Sequence, residues 1–288
     1  MNYAIYFVAV GEPAVHCLSY AYESLRKAGF EGDVYILAEH STIPFNISSN
    51  TQVMQIRQED LNLDLESTEP MATCDVRRFN LSRIDENKHH SIYKWAIANV
   101  RTLIDSYIPV ERYDYVLYLD VDILTQGPME SFEKFLEENR GAIITSASPD
   151  SRFLGGRKNF SLRKLRRAQT TEAGNLTTWE LLKYWFVRPI CSDIVCFPVT
   201  DVGREFIKKW REECQKGIYQ DQSALQAILL RNFRKIHVLA PYSLFGYGMG
   251  HRKYKEGMKC KKVHSTFAHF GGAIKDPRAL EEYAKHCL

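Results

Sequence analysis

The stretch Tyr115-Val116-Leu117-Tyr118-Leu119-Asp120-Val121-Asp122 joins a continuous apolar run to two carboxylates. Apolar runs of this kind are typical of central strands that are buried on both faces of a parallel sheet. Such sheets bind ligands at the carboxyl ends of their strands, which is where Asp120 and Asp122 fall. Because side chains alternate along a strand, the i, i+2 spacing points both carboxylates to the same face. The stretch therefore predicts a buried strand with a functional site at its end.

The segments before this strand alternate between strand and helix patterns. Residues 4–10 are apolar and partly β-branched, and Pro13 suits the first turn of a helix that apolar spacing continues over 14–28. Strand patterns follow at 33–37 and 52–56. These βα-type units predict a parallel or mostly parallel sheet with helices on its faces.

The same alternation continues to the end of the chain. Helices are predicted over 90–107, 129–138, 202–216, 223–230 and after Pro277, and strands over 142–145, 190–197, 236–239 and 263–267. Residues 150–188 interrupt the alternation as an insertion, while no repeat or linker marks a domain boundary. We therefore expect one α/β domain with a mixed, mostly parallel central sheet flanked by helices.

Composition limits the classes of protein that the chain can belong to. Its 288 residues are 45% hydrophobic and 25% charged, which is typical of an ordinary soluble globular protein. The longest apolar runs fall short of the roughly 20 residues that span a bilayer. The first residues lack a secretory signal pattern, and the seven cysteines are scattered, so we expect reduced thiols and a cytoplasmic location. A net charge of +3 gives no reason to expect a nucleic-acid partner.

Two carboxylates on one face of a strand end suggest a cation. They would repel each other unless a cation or strong hydrogen-bond donors lay between them. Hard oxygen ligands suit Mg²⁺ or Mn²⁺, which in turn hold phosphate oxygens. The alternative is that Asp120 and Asp122 are solvated turn residues that follow a strand.

A second candidate element is His269-Phe270-Gly271-Gly272-Ala273-Ile274-Lys275. A neutral imidazole can complete the coordination of Mn²⁺, and consecutive glycines let the backbone approach a ligand closely. A lysine can meet a diphosphate as a point charge. The alternative is a glycine turn that carries an incidental histidine and lysine.

Together these elements resemble family 8 glycosyltransferases, nucleotide-sugar enzymes with the GT-A fold. The resemblance depends on the stretch 118–122, on Asp221-Gln222, and on the pattern His-x-x-Gly-x-x-Lys that ends at Lys275. It implies a single GT-A (Rossmann-like) domain over 1–288, with a nucleotide-binding half over 1–125. Residues 126–288 would then form the half that closes on the metal and the acceptor.

The resemblance also implies roles for individual residues. Mn²⁺ or Mg²⁺ would be held by Asp120, Asp122 and His269, and Lys275 would meet the diphosphate. Asp221 and Gln222 would lie near the transferred sugar. The remaining residues implied to contact the UDP-sugar are Val8, Ala9 and Val10 in the base-binding loop, Lys94, Asp120, Val121, Asp122 and Gly272.

One segment departs from the family pattern. Cys191-Ser192-Asp193 stands where members commonly carry Asn-Ala-Gly. The apolar run 194–197 follows, which places Asp193 at an edge of the sheet in this interpretation. Its carboxylate is predicted to face the donor sugar and help to choose it. The alternative is a local role in which Asp193 binds nearby backbone amides.

The predicted activity is retaining transfer of a hexose from a UDP-sugar to a saccharide, glycolipid or glycoprotein acceptor. Two alternatives stay open, a catalytically silent nucleotide-sugar binder and a nucleotide-sugar hydrolase. The insertion combines basic residues at 157–167 with aromatic residues at 179–186. It could recognise an anionic acceptor or a membrane surface, or it could be a solvated basic face.

Overall fold

The computed structural model describes residues 1–61, 100–147, 190–215, 221–248, 263–274 and 276–287. Ten strands lie in these ranges: β1 Tyr3–Ala9, β2 Val34–Ala38, β3 Thr51–Gln55, β4 Tyr115–Leu119, β5 Ile123–Thr125, β6 Ile143–Ala147, β7 Ile190–Pro198, β8 His237–Ala240, β9 Phe245–Tyr247 and β10 Phe267–His269. The helices are α1 Glu12–Lys27, α2 Gln58–Leu61, α3 Glu130–Glu138, α4 Asp201–Gln215, α5 Asp221–Asn232 and α6 Arg278–Cys287.

A seven-stranded sheet of order β3-β2-β1-β4-β7-β6-β8 forms the centre of the fold. Neighbouring strands from β3 to β4 are parallel, and β6 is parallel to β8. Only β7 runs antiparallel to both of its neighbours in this sheet. The predicted mixed, mostly parallel sheet with flanking helices is confirmed. The reversal has a consequence for the site, because the first residues of β7 lie beside the carboxyl end of β4.

Side-chain alternation along the strands fills both faces of this sheet. Ile5 and Leu117 point into a core shared with α1, whereas Tyr6 and Tyr118 point into one shared with α4 and α5. Trp210 of α4 is completely buried in the second core. Both faces are therefore covered, as expected for strands with nearly continuous apolar sequences.

A second sheet of three short strands, in the order β5-β10-β9, stands beside the first. Neither β5 nor β9 was predicted, because three residues are too few to show a strand periodicity. The strand predicted over 263–267 is wrong in position, since β10 begins at Phe267 and ends at His269. His269 thus lies inside a strand rather than beyond one.

Two other predictions concern segments that lie mostly or wholly outside the described residues. Most of the helix predicted over 90–107 lies outside them, although Val100 is helical and Ile104–Ser106 forms a 3-10 turn. The insertion at 150–188 lies outside them as well. Within the ranges that the structure describes, no helix combines the length and apolar character that a bilayer crossing requires.

Candidate metal centre

The turn that follows β4 carries both predicted carboxylates. Asp120, Val121 and Asp122 form this turn, which is closed by the Ile123 N–H donating to the Asp120 carbonyl over 3.1 Å. The chain then enters β5, which pairs antiparallel with β10 so that His269 lies opposite Ile123. Backbone pairing between two segments that are far apart in sequence therefore brings the histidine to the carboxylates.

The structure brings the three predicted metal ligands together. One ligand atom each from Asp120, Asp122 and His269 can be chosen so that all lie within 4.8 Å of one another. His269 Nε2 lies 3.2 Å from Asp122 Oδ1. Asp122 is buried, and the other two side chains are partly buried. Their ability to bind an ion is still a prediction.

Asp193 belongs to the same cluster. Its Oδ2 atom lies 2.7 Å from His269 Nδ1 and accepts from the Cys191 thiol over 2.5 Å. The expected place at an edge of the sheet is wrong, because β7 begins at Ile190 and lies between β4 and β6. The Asp193 carbonyl also accepts from the Asp120 N–H over 2.9 Å. Whether the carboxylate also faces a sugar stays a prediction.

Arg101 is a site residue that the sequence analysis missed. It is buried, with its guanidinium 4.8 Å from the centre of the Tyr118 ring. Its Nη1 donates to the Ser192 carbonyl over 3.2 Å. The Tyr118 hydroxyl in turn donates to Asp120 Oδ1. No motif marks this arginine, because only the packing of its segment against β4 and β7 places it near the acidic residues.

Burial and neighbouring charges shift the pKa values of three side chains in the cluster. Burial raises the pKa of Asp120 well above its usual range; the Arg101 charge opposes this effect, and the carboxylates of Asp193 and Asp122 reinforce it. Burial alone would lower the pKa of His269, but the same two carboxylates raise it well above its ordinary value. For Asp193, burial favours the neutral form, yet the neighbouring His269 brings its pKa below the usual value.

The donor set fits a divalent cation. Three carboxylates converge on the site, accompanied among the described residues by one guanidinium and one imidazole. Crowded, partly desolvated carboxylates are unfavourable until a positive charge is shared among them. Two carboxylates and an imidazole are ligands that Mn²⁺ accepts readily, and Mg²⁺ accepts the carboxylates.

The proposed base-binding loop lies at the same edge of the sheet. Val8 and Ala9 end β1, which pairs with β4, and Val10 follows them. Gly11 then adopts φ 84°, a conformation that favours glycine, and its N–H donates to Glu39 Oε2 over 2.7 Å. All three predicted residues are buried, so the backbone is the part of the loop best placed to meet a ligand.

The remaining predicted residues are described only in part. Gly272 has φ 84° in the turn after β10, where a side chain would be strained. Asp221 and Gln222 are the first residues of α5, a helix that packs against β7, but their side chains are not described. Lys94 and Lys275 lie outside the described residues.

Comparison with known proteins identifies the fold. No family model matches the chain, and no curated protein does. Among solved structures, the galactosyltransferase LgtC in complex with donor and acceptor sugar analogs aligns over 99% of this chain and 96% of its own, with a TM-score of 0.56 and 14% identity.

Two further glycosyltransferases show the same likeness. Mouse xyloside xylosyltransferase 1 aligns over 95% of this chain and 99% of its own, with a TM-score of 0.52 and 13% identity. The bifunctional glycosyltransferase WbbM aligns over 94% of this chain but 46% of its own, with a TM-score of 0.52 and 10% identity. The chain therefore has the GT-A glycosyltransferase fold that its sequence resemblance implied.

Proposed function

We propose that the chain is a metal-dependent retaining glycosyltransferase that moves a hexose from a UDP-sugar to a hydroxyl group of a saccharide, glycolipid or glycoprotein. The observation that carries this proposal is the convergence of Asp120, Asp122 and His269 at the carboxyl edge of a GT-A sheet. Ligands of α/β sheets bind at this edge. Structurally similar proteins include a galactosyltransferase in complex with donor and acceptor sugar analogs and a xylosyltransferase, and this likeness supports the same class of reaction.

Departure of UDP is the step that these residues would assist. Asp120, Asp122 and His269 would hold Mn²⁺ or Mg²⁺, and Lys275 would bind the diphosphate through its ammonium group. A divalent ion at this place supplies positive charge that stabilises the negative charge developing on the leaving phosphate. Gly272 leaves room for the backbone to approach the donor closely. Val8, Ala9 and Val10 would border the uracil base of the UDP-sugar.

Donor recognition would involve residues on three segments. We assign Asp221 and Gln222, at the start of α5, and Asp193 in β7 to the transferred sugar, with Lys94 and Val121 as further donor contacts. Arg101 adds a buried positive charge on the same side of β4 as Tyr118. The insertion at 150–188 would bind the acceptor or contact a membrane surface, and we expect a cytoplasmic enzyme.

Hydrolysis by two carboxylates that flank a glycosidic bond is the alternative that the geometry favours less. Two carboxyl groups that flank a glycosidic bond are separated by roughly 5–5.5 Å in retaining hydrolases and by more in inverting ones. Asp120 and Asp122 offer oxygens within 4.8 Å of each other and follow the same strand. They therefore suit a shared ion better than the two sides of a sugar ring.

The test is release of UDP from a panel of UDP-glucose, UDP-galactose and their N-acetyl forms with Mn²⁺. Methyl glycosides of glucose and galactose serve as simple acceptors. We expect one donor to give UDP at a rate that rises with acceptor, and chelation to abolish the reaction. Turnover independent of acceptor would indicate a hydrolase, binding without turnover would indicate a silent binder, and full turnover in excess chelator would refute metal dependence.

A further inference from the structure

The ring of His269 lies between two carboxylates. Its Nε2 atom is 3.2 Å from Asp122 Oδ1, and its Nδ1 atom is 2.7 Å from Asp193 Oδ2. The ring is mostly buried, with 11% of its side chain exposed. The Nδ1 contact is short, although its N–H direction does not meet the geometry of a hydrogen bond. The two nitrogens therefore face different groups, and only the Nε2 side faces the predicted metal ligands.

A bulge in β7 places Asp193 at this position. One step along β6, from Thr145 to Ser146, corresponds to four steps along β7, from Val195 to Cys191. Asp193 lies within the extra residues of β7 and has no partner in β6. Bulges of this kind bend a strand and redirect a side chain, and they occur often beside functional sites.

Other contacts hold the carboxylate and the ring in place. Cys191 donates its thiol to Asp193 Oδ2, and the Asp193 carbonyl is fixed by the Asp120 N–H. The rings of Phe245 and Tyr247 also lie near the imidazole, with their centres 6.4 Å and 5.6 Å from that of His269. Asp193 is thus anchored on a central strand, and the imidazole it contacts also packs against two aromatic rings of β9.

We propose that Asp193 is a positioning residue that holds His269 by its Nδ1 atom and so presents Nε2 to the cation. The inference rests on the metal site of the proposed function. A carboxylate on the second nitrogen of a ligating histidine fixes the ring orientation and tautomer and increases the basicity of the ligand. This role adds a function to Asp193 that its predicted contact with the donor sugar does not include.

The experiment measures Mn²⁺ binding to the full chain without nucleotide, using the electron paramagnetic resonance signal of free Mn²⁺. Asp193→Ala should weaken binding by about 10- to 100-fold, the usual cost of losing such a partner. Asp193→Asn keeps a polar side chain of nearly the same shape beside Nδ1 but removes its charge, so its loss of affinity should be smaller. The matched control is Asp33→Asn, because Asp33 accepts from the Tyr113 hydroxyl over 2.6 Å at the opposite end of the strands.

The outcomes separate this inference from the proposed function. Unchanged Mn²⁺ affinity in folded Asp193→Ala, together with loss of binding in Asp122→Asn, would overturn the positioning role and leave the metal site in place. Wild-type affinity in Asp122→Asn would refute the metal site itself. If Asp193→Ala does not fold, the Mn²⁺ affinity of Asp193→Asn is the deciding measurement. An affinity equal to that of the wild type would show that the charge of Asp193 does not act on the metal site through His269.

Discussion

Replacement of Asp122 by asparagine removes one charged ligand while leaving the backbone framework of the site intact. The side chain is 7% exposed, and Oδ1 lies 3.2 Å from His269 Nε2. The Asp122 carbonyl accepts from the Phe270 N–H over 2.9 Å, a contact that does not involve the side chain. Asparagine has nearly the same shape as aspartate, so the turn after β4 should form as before. The substitution therefore tests the charge of the ligand rather than the fold.

The size of the effect follows from linkage between binding and folding. At a Mn²⁺ concentration of 100 times the dissociation constant, binding stabilises the wild type by about 2.7 kcal/mol. For a chain somewhat longer than 250 residues, this corresponds to a rise in Tm of about 5 °C. Loss of a group that contacts a ligating histidine weakens metal binding by up to about 100-fold, and loss of a direct ligand should cost at least as much. The stabilisation by Mn²⁺ then falls to about 0.4 kcal/mol, less than about 1 °C.

The assay is thermal unfolding of chelator-treated wild type and Asp122→Asn with increasing Mn²⁺. The unfolding curve of the metal-free variant shows whether it is folded, and Asp33→Asn should keep the full Mn²⁺ shift. An equal rise in Tm for the wild type and folded Asp122→Asn would refute the ligand role of Asp122. It would also remove the main support for the metal site.

Two predictions concern the fold itself. A Cβ added at Gly203 would lie 1.7 Å from the Pro198 carbonyl oxygen. Gly203→Ala should therefore lower the free energy of unfolding by about 1–3 kcal/mol or more, as measured by urea denaturation. An unchanged denaturation midpoint would contradict the close approach of α4 to β7. Burial lowers the pKa of His237, whose Nε2 lies 2.7 Å from Thr145 Oγ1, to about 4. The unfolded chain binds a proton at His237 below pH about 6.5 and the folded chain does so only near 4, so stability falls as the pH drops through this window, by up to about 3 kcal/mol. His237→Gln should lose correspondingly less stability between pH 6.5 and pH 4, and equal losses in both proteins would show that His237 is not buried in its neutral form.

The sequence predicted the elements whose signals are local. Each of these signals lies within one short continuous stretch of sequence, where hydrophobic periodicity and turn residues are informative. Examples are the apolar run of β4 and the patterns of β1, α1 and β2. These elements were placed within one or two residues of their ends in the structure. The three-residue strands β5 and β9 were missed because a segment of that length carries almost no periodic signal.

The candidate ligands were also chosen from the sequence, yet the sequence could not show how they meet. Asp120 and Asp122 were predicted from one strand end, and His269 from a separate motif and a family resemblance. Their approach depends on the pairing of β5 with β10. Strand pairing across long sequence separations is decided by the packing of the whole chain, so it leaves no local pattern.

The amino-acid sequence by itself determined the longer strands and helices with local patterns, that the central strands are buried, and which carboxylates follow β4. Only the tertiary structure decided the contacts of Asp193 and Arg101. Asp193 reaches His269 because β7 reverses direction and bulges, and Arg101 lies near Asp120 because its segment packs against β4. Both placements result from which surfaces can be buried together, a property of the folded chain as a whole rather than of any short stretch of it.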